Sequence, residues 1–247
     1  LEKVRGKNAQ IIEHKYLTDI YDKKDMPFTV ITKESWGKNL KDGIPGMLEG
    51  TEKNRMLFRK YRMLAEKEKK AIQALCKKKY TICFVDGAHE NFDMLSEYKP
   101  YRFHGGNAHK ITPNIFHLMR GEIFTFGDKT FFCMGGGESD DIEMREEGKT
   151  WWKEEMPDAE EMMNGARNLK DYDYKVDYVI THEAPALAKD FIRLHSNQEV
   201  KISPLNTYLQ ELMKSVEYNH WFFGSLHIDL NISKKMTAVF NEIIKIR

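Results

Sequence analysis

With 247 residues, 41% of them hydrophobic and 31% charged, the chain is long enough to bury one sizeable core. A formal net charge of +1 supplies no long-range field to draw it to nucleic acid or an anionic membrane, and no run approaches the roughly 18 apolar residues of a bilayer-spanning helix. Three cysteines, Cys76, Cys83 and Cys133, are too few and too far apart for a disulfide framework or a cysteine zinc site, so they are expected in the core of a cytoplasmic protein.

In chain order, Lys3 to Gly6 and Phe28 to Thr32 read as short strands. Between them, Ile12, Leu17 and Ile20 recur at roughly helical spacing. The stretch from Leu1 lacks the charged-then-apolar pattern of a signal peptide. From Thr51 to Lys79, Leu57, Tyr61, Leu64, Ile72 and Leu75 mark one face of a long amphipathic helix, with Thr51 as its N-cap. Its lysines alternate with Glu66 and Glu68, which fits a solvated face better than a nucleic-acid patch.

Tyr80 to Val85 is an apolar, β-branched strand without polar alternation, the pattern of a strand covered on both faces. Ile123 to Phe126 and Thr130 to Met134, joined by Gly127-Asp128-Lys129, predict a hairpin. Val176 to Ile180 and Trp221 to Phe223 repeat the buried-strand pattern. With no repeat, low-complexity tract or linker, residues 1–247 read as a single mixed-sheet α/β domain.

Three of these strands each deliver a histidine just past the carboxyl end: His89 in "FVDGAHENFDML", His182 in "VITHEAP" and His227 in "FFGSLH". Open α/β sheets place their sites there, and converging imidazoles suit a metal site or acid–base work. A single such histidine is more often structural; the joint placement favours a site. His104, His109 and His117 are assigned ordinary structural roles, with Gly105-Gly106 as a loop. The run Gly135-Gly136-Gly137 reads as a tight turn, since it lacks the lysine and spacing of a P-loop. Trp151-Trp152 with Glu154, Glu155 and Pro157 suits a substrate-side rim, and paired tryptophans suit core packing equally well.

Taken together, "DGAHENFDML", "MGGGESDD", "WWKEEMP", "VITHEAP" and "GSLH" resemble, in order and separation, the calcineurin-like metallophosphoesterases. The resemblance implies a double β-sandwich flanked by helices, a four-layer αββα arrangement, with two metal ions at the strand ends. It also implies hydrolysis of phosphomonoesters or phosphodiesters. Carried across, His89 matches the general-acid or phosphate-contacting histidine, and His182 and His227 match metal ligands. Ala88 stands where the family has a metal-binding Asn, and Ser225 where it has a histidine. "RGKNAQ" places Lys7 and Ala9 at the Asp and His of the first motif, and "ITKESWG" places Lys33 and Glu34 at the Gly and bridging Asp of the second.

A two-metal phosphoesterase holds the phosphate between cations and attacks it with a metal-bound hydroxide. The resemblance leaves one metal with Glu34 and His227 and the other with Glu34 and His182. An ammonium at Lys7, about 4 Å from a cation, would add on the order of 4 kcal/mol of repulsion per unit-charge pair at an effective dielectric near 20. It can also replace a cation's charge without its Lewis acidity. The favoured reading is a metallophosphoesterase-fold protein with a degenerate metal site, acting by binding a phosphorylated ligand or a protein partner and carrying no metal or a weakly held one. The alternative is an active enzyme using Mn, Fe or Zn, or an active enzyme whose ligands were replaced deliberately.

Overall fold

The computed structural model describes residues 70–148, 150–196 and 201–246. The expected elements at Lys3 to Gly6, Ile11 to Tyr21 and Phe28 to Thr32, and the site positions Lys7, Ala9, Lys33 and Glu34, lie outside the described residues. So does most of the Thr51 to Lys79 helix, whose described end spans 70–76. The Asn114 amide donates to the Leu75 carbonyl, an acceptor the helix end leaves open, and to the carbonyls of Lys78 and Tyr80 just beyond it.

The described chain is mixed α/β with two mixed sheets. The first contains β1 (Ile82–Phe84), β2 (Pro100–Phe103), β3 (Gly106–Thr112) and β4 (Ile115–Leu118), in the order β1-β4-β3-β2. β1 and β4 are parallel, with Phe84 opposite His117, and the other pairings are antiparallel. The second contains β5 (Glu122–Phe126), β6 (Lys129–Met134), β7 (Tyr178–Thr181), β8 (His220–Phe223), β9 (Leu230–Ser233) and β10 (Met236–Ala238), in the order β5-β6-β7-β8-β10-β9. Its central strands β6, β7, β8 and β10 are parallel and its edge strands antiparallel. The predicted hairpin is β5–β6, and the predicted strands near Val176 and Trp221 are β7 and β8.

Parallel neighbours need long crossovers; helices lie in those between β1 and β4, β6 and β7, and β7 and β8, while β9 lies between β8 and β10. α1 (Phe92–Ser96) follows β1, α2 (Ala159–Asp171) lies between β6 and β7, and α3 (Ala186–Ser196) and α4 (Pro204–Ser215) lie between β7 and β8. α2 starts at a capping box in which Asp158 accepts from the Glu161 amide and Glu161 accepts from that of Asp158. Ser203 and Asn206 make the same reciprocal pair at α4, with Pro204 at its first position.

Alternation along the strands sorts their side chains between two cores. Phe132, Met134, Val179, Trp221 and Phe223 face Leu169, Ile192, Leu205 and Leu209 of the helices. Phe124 and Cys133 face the other way, onto Ala108, Phe116 and Leu118 of the first sheet. One face of the six-stranded sheet therefore carries the helices and the other meets the four-stranded sheet.

Three expectations change here. β1 is half-buried rather than covered on both faces and, among the described residues, ends its sheet. Of the cysteines only Cys133 is fully buried; Cys76 and Cys83 are partly exposed. His104-Gly105 is the turn of the β2–β3 hairpin, with Gly106 the first residue of β3, and His109 and His117 face each other across β3 and β4.

Candidate functional site

Asp86, directly after β1, is fully buried. An unpaired carboxylate could not remain ionised there. Because β4 runs parallel to β1, it carries Arg120 to the same end. Arg120 Nε and Nη2 donate to Asp86 Oδ2 at 2.9 and 2.6 Å, and His117 Nε2 contacts Oδ1 at 2.9 Å. Burial alone would raise the Asp86 carboxyl; the guanidinium, helped by His117, overrides it and holds the group well below the usual carboxylate range. Arg120 also donates to Glu161 and to the carbonyls of Glu154 and Glu155. It thus ties the end of β1 to α2 and to the segment before it.

The glycine run after β6 is the other half of this joint. A methyl group added at Gly135 would stand 2.1 Å from Asp86 Oδ1, and one at Gly136 would stand 2.7 Å from the Glu155 carbonyl oxygen. Gly136 also has a φ of 85°, which glycine adopts without penalty. The Gly136 N–H donates to the Asp86 carbonyl and the Gly137 N–H to that of Glu155. Both amides are therefore engaged within the protein and are not open to cradle a phosphate, but their partners are distant in sequence and the run is not the expected tight turn.

Beyond this run, Ser139 donates from Oγ to Glu155 Oε2 at 2.6 Å and from its amide to Oε1 at 2.7 Å. Its Oγ also lies 3.2 Å from His89 Nδ1. Ser139 and Glu155 are both buried. Burial pushes the Glu155 carboxyl up, against the lowering effect of the two Ser139 hydrogen bonds.

His182, after β7, is where the strand-end loops meet. A methyl group at Gly87 would stand 3.1 Å from its Cε1, and one at Gly137 would stand 3.1 Å from its Cδ2 and 3.3 Å from Ala88 Cβ. The Gly224 N–H, after β8, donates to the His182 carbonyl at 3.1 Å. Next to it, buried Glu183 accepts from Lys189 Nζ, Asn206 Nδ2 and Ser225 Oγ at 2.5, 2.7 and 2.5 Å. Burial would raise this carboxyl, but Lys189 and then His182 lower it. Ser225 and His227 both take left-handed backbone conformations, with φ of 65° and 53°.

The structure therefore brings Ala88, His182 and Ser225 together, with His89 joined through Ser139. His227 occupies the same loop as Ser225 but is exposed, its ring 5.0 Å from that of Phe240. Trp151 and Trp152 are half-buried, between the rim and the core. His117 and His109 keep structural roles, and their nitrogens meet at 3.0 Å. Ser139, Asp86 and Arg120 were not singled out as site residues from the sequence, and Glu155 was read only as part of a rim with Trp151 and Trp152. For Arg120 the available signal was charge in apolar surroundings, "HLMRGEIF", which demands a buried partner.

A search of protein-family models, curated proteins and solved structures finds no match. Among the described residues, no group of three or more His, Cys, Asp and Glu side chains is placed to hold an ion. Ala88 offers a methyl group, and the Ser225 hydroxyl donates to Glu183. These residues do not fit the two-metal set that the resemblance to the metallophosphoesterases implies.

Proposed function

We infer that the chain has a metallophosphoesterase-like double β-sandwich with a degenerate metal site, and that its strand-end site binds a phosphorylated ligand without hydrolysing it. One observation carries this reading: loops following β1, β6, β7 and β8 pack around His182, while the position for a metal-binding amide is Ala88. Glycines at Gly87 and Gly137 let backbone approach the ring on two sides. The scaffold of a phosphate site is retained, and the ligand atoms that would hold ions are replaced.

In this reading His182 and His89 donate to phosphate oxygens. Lys7, matched to the first motif, supplies positive charge in place of an ion. Glu183, beside His182, is held as an anion by Lys189.

The test is calorimetric titration with phenyl phosphate of the protein as purified and of His182→Ala. A charge-assisted hydrogen bond contributes about 1.5–3 kcal/mol, so the variant should bind roughly ten- to a hundredfold more weakly. Metal-dependent release of phenol by the unaltered protein would establish a working phosphoesterase instead.

A further inference from the structure

We propose that Ser139 and Glu155 are positioning residues for His89, fixing its neutral ring as the Nδ1–H tautomer through a buried Glu155–Ser139–His89 relay. The statement deepens the phosphate-site reading and rests on it only for the role of His89.

The direction of the relay follows from counting protons. Glu155 accepts two hydrogen bonds from Ser139, the amide to Oε1 at 2.7 Å and the hydroxyl to Oε2 at 2.6 Å. A serine hydroxyl has one proton, and here it points at the carboxylate. The 3.2 Å contact between Ser139 Oγ and His89 Nδ1 can then be made only by the imidazole donating. With Nδ1 protonated, the neutral ring carries its lone pair on Nε2. Such a ring donates to an anionic oxygen from Nε2 only after taking up a proton, so its ligand is bound as a phosphate paired with an imidazolium.

The relay is held from outside. The Glu155 carbonyl accepts from the Gly137 amide and from Arg120, and Ser139 is 2% and Glu155 0% exposed, so both are withdrawn from bulk solvent. These contacts give a role to Ser139 of "MGGGESDD" and Glu155 of "WWKEEMP", which the phosphate-site reading leaves unused. Asp141 also interacts through its charge with His89, and it is paired with Arg145.

Glu155→Gln makes the test decisive because it reverses the relay. The amide oxygen must face the Ser139 N–H, leaving the NH₂ to donate to Ser139 Oγ. The hydroxyl proton then turns to His89 Nδ1, and the ring must carry its proton on Nε2. Long-range ¹H–¹⁵N correlation of the phosphate-free protein, at a pH where His89 is neutral, reads the two nitrogens separately. Nδ1 should be pyrrole-like and Nε2 pyridine-like in the unaltered protein, and the two shifts should interchange in Glu155→Gln. Ser139→Ala, which removes the middle of the relay without adding bulk, should abolish the Nδ1–H preference. An Nε2–H ring in the unaltered protein, or an unchanged pattern in folded Glu155→Gln or Ser139→Ala, overturns the proposal. Because phosphate is absent, failure here leaves phosphate binding standing, and loss of phosphate binding leaves the relay standing.

Discussion

Asp86→Asn preserves shape and removes one charge from the joint between the two sheets. It leaves the Arg120 guanidinium, whose side chain is only 6% exposed, without its buried counter-ion. Breaking a buried pair from one side costs about 3–5 kcal/mol. In a chain of this size each kcal/mol moves the unfolding midpoint by about 2–4 °C, so the expected drop is roughly 6–20 °C. Glu161 offsets part of this, but its side chain is 39% exposed and screened by water. Arg120→Met should be comparably harmful, because it strands Asp86. The double variant removes both charges and should be less destabilised than the sum of the singles by about 0.5–3 kcal/mol. Urea unfolding of the four proteins measures this directly. A loss below about 1 kcal/mol in Asp86→Asn, or additive singles, would refute a tightly coupled buried pair.

Burial, with His117 adding to it, pushes the His109 ring down to about 4 from an ordinary 6.5. The folded protein then binds fewer protons than the unfolded chain between those values, so this group's stabilising effect is present above pH 6.5 and is lost on acidification toward 4. In urea unfolding, His109→Gln should flatten that slope; an unchanged slope would assign it to other groups. Gly136→Ala should cost more than Gly127→Ala, since the former meets the Glu155 carbonyl at 2.7 Å and the latter meets open space. Gly127→Ala should lose only the left-handed penalty of about 1–2 kcal/mol, and equal thermal shifts would contradict the close packing after β6. Metal binding and metal-dependent phosphoesterase activity should return only when Lys7→Asp, Ala9→His, Glu34→Asp, Ala88→Asn and Ser225→His are combined, because such groups act as a unit. Activity from one reversion alone, read by metal content and aryl phosphate turnover, would contradict this.

The parts of the fold legible in the sequence were those set by short-range patterns. Gly127-Asp128-Lys129 marked the β5–β6 turn, and the apolar runs before His182 and Gly224 marked β7 and β8. The capping signals Asp158…Glu161 and Ser203-Pro204 were also present but were overlooked, so α2 and α4 went unread. β2 and β3 carry too many polar and exposed residues, such as Tyr101 and Lys110, to stand out as strands. Of the candidate site, the histidines at strand ends were visible because the strands preceding them were. The groups around them were not: Arg120 reaches Asp86 across 34 positions and Ser139 reaches Glu155 across 16. Those pairings come from the parallel β1–β4 register and from the fold of the loop after β6, which no local pattern encodes.

The central claim is binding without turnover at the strand-end site. The direct measurement is a ³¹P spectrum of bis(4-nitrophenyl) phosphate followed over time with the purified protein and with His182→Ala. The account predicts a shifted or broadened phosphodiester resonance with the unaltered protein, its reversal in His182→Ala, and no growing monoester signal. A monoester signal that grows with the unaltered protein, or a resonance that never moves, would contradict it.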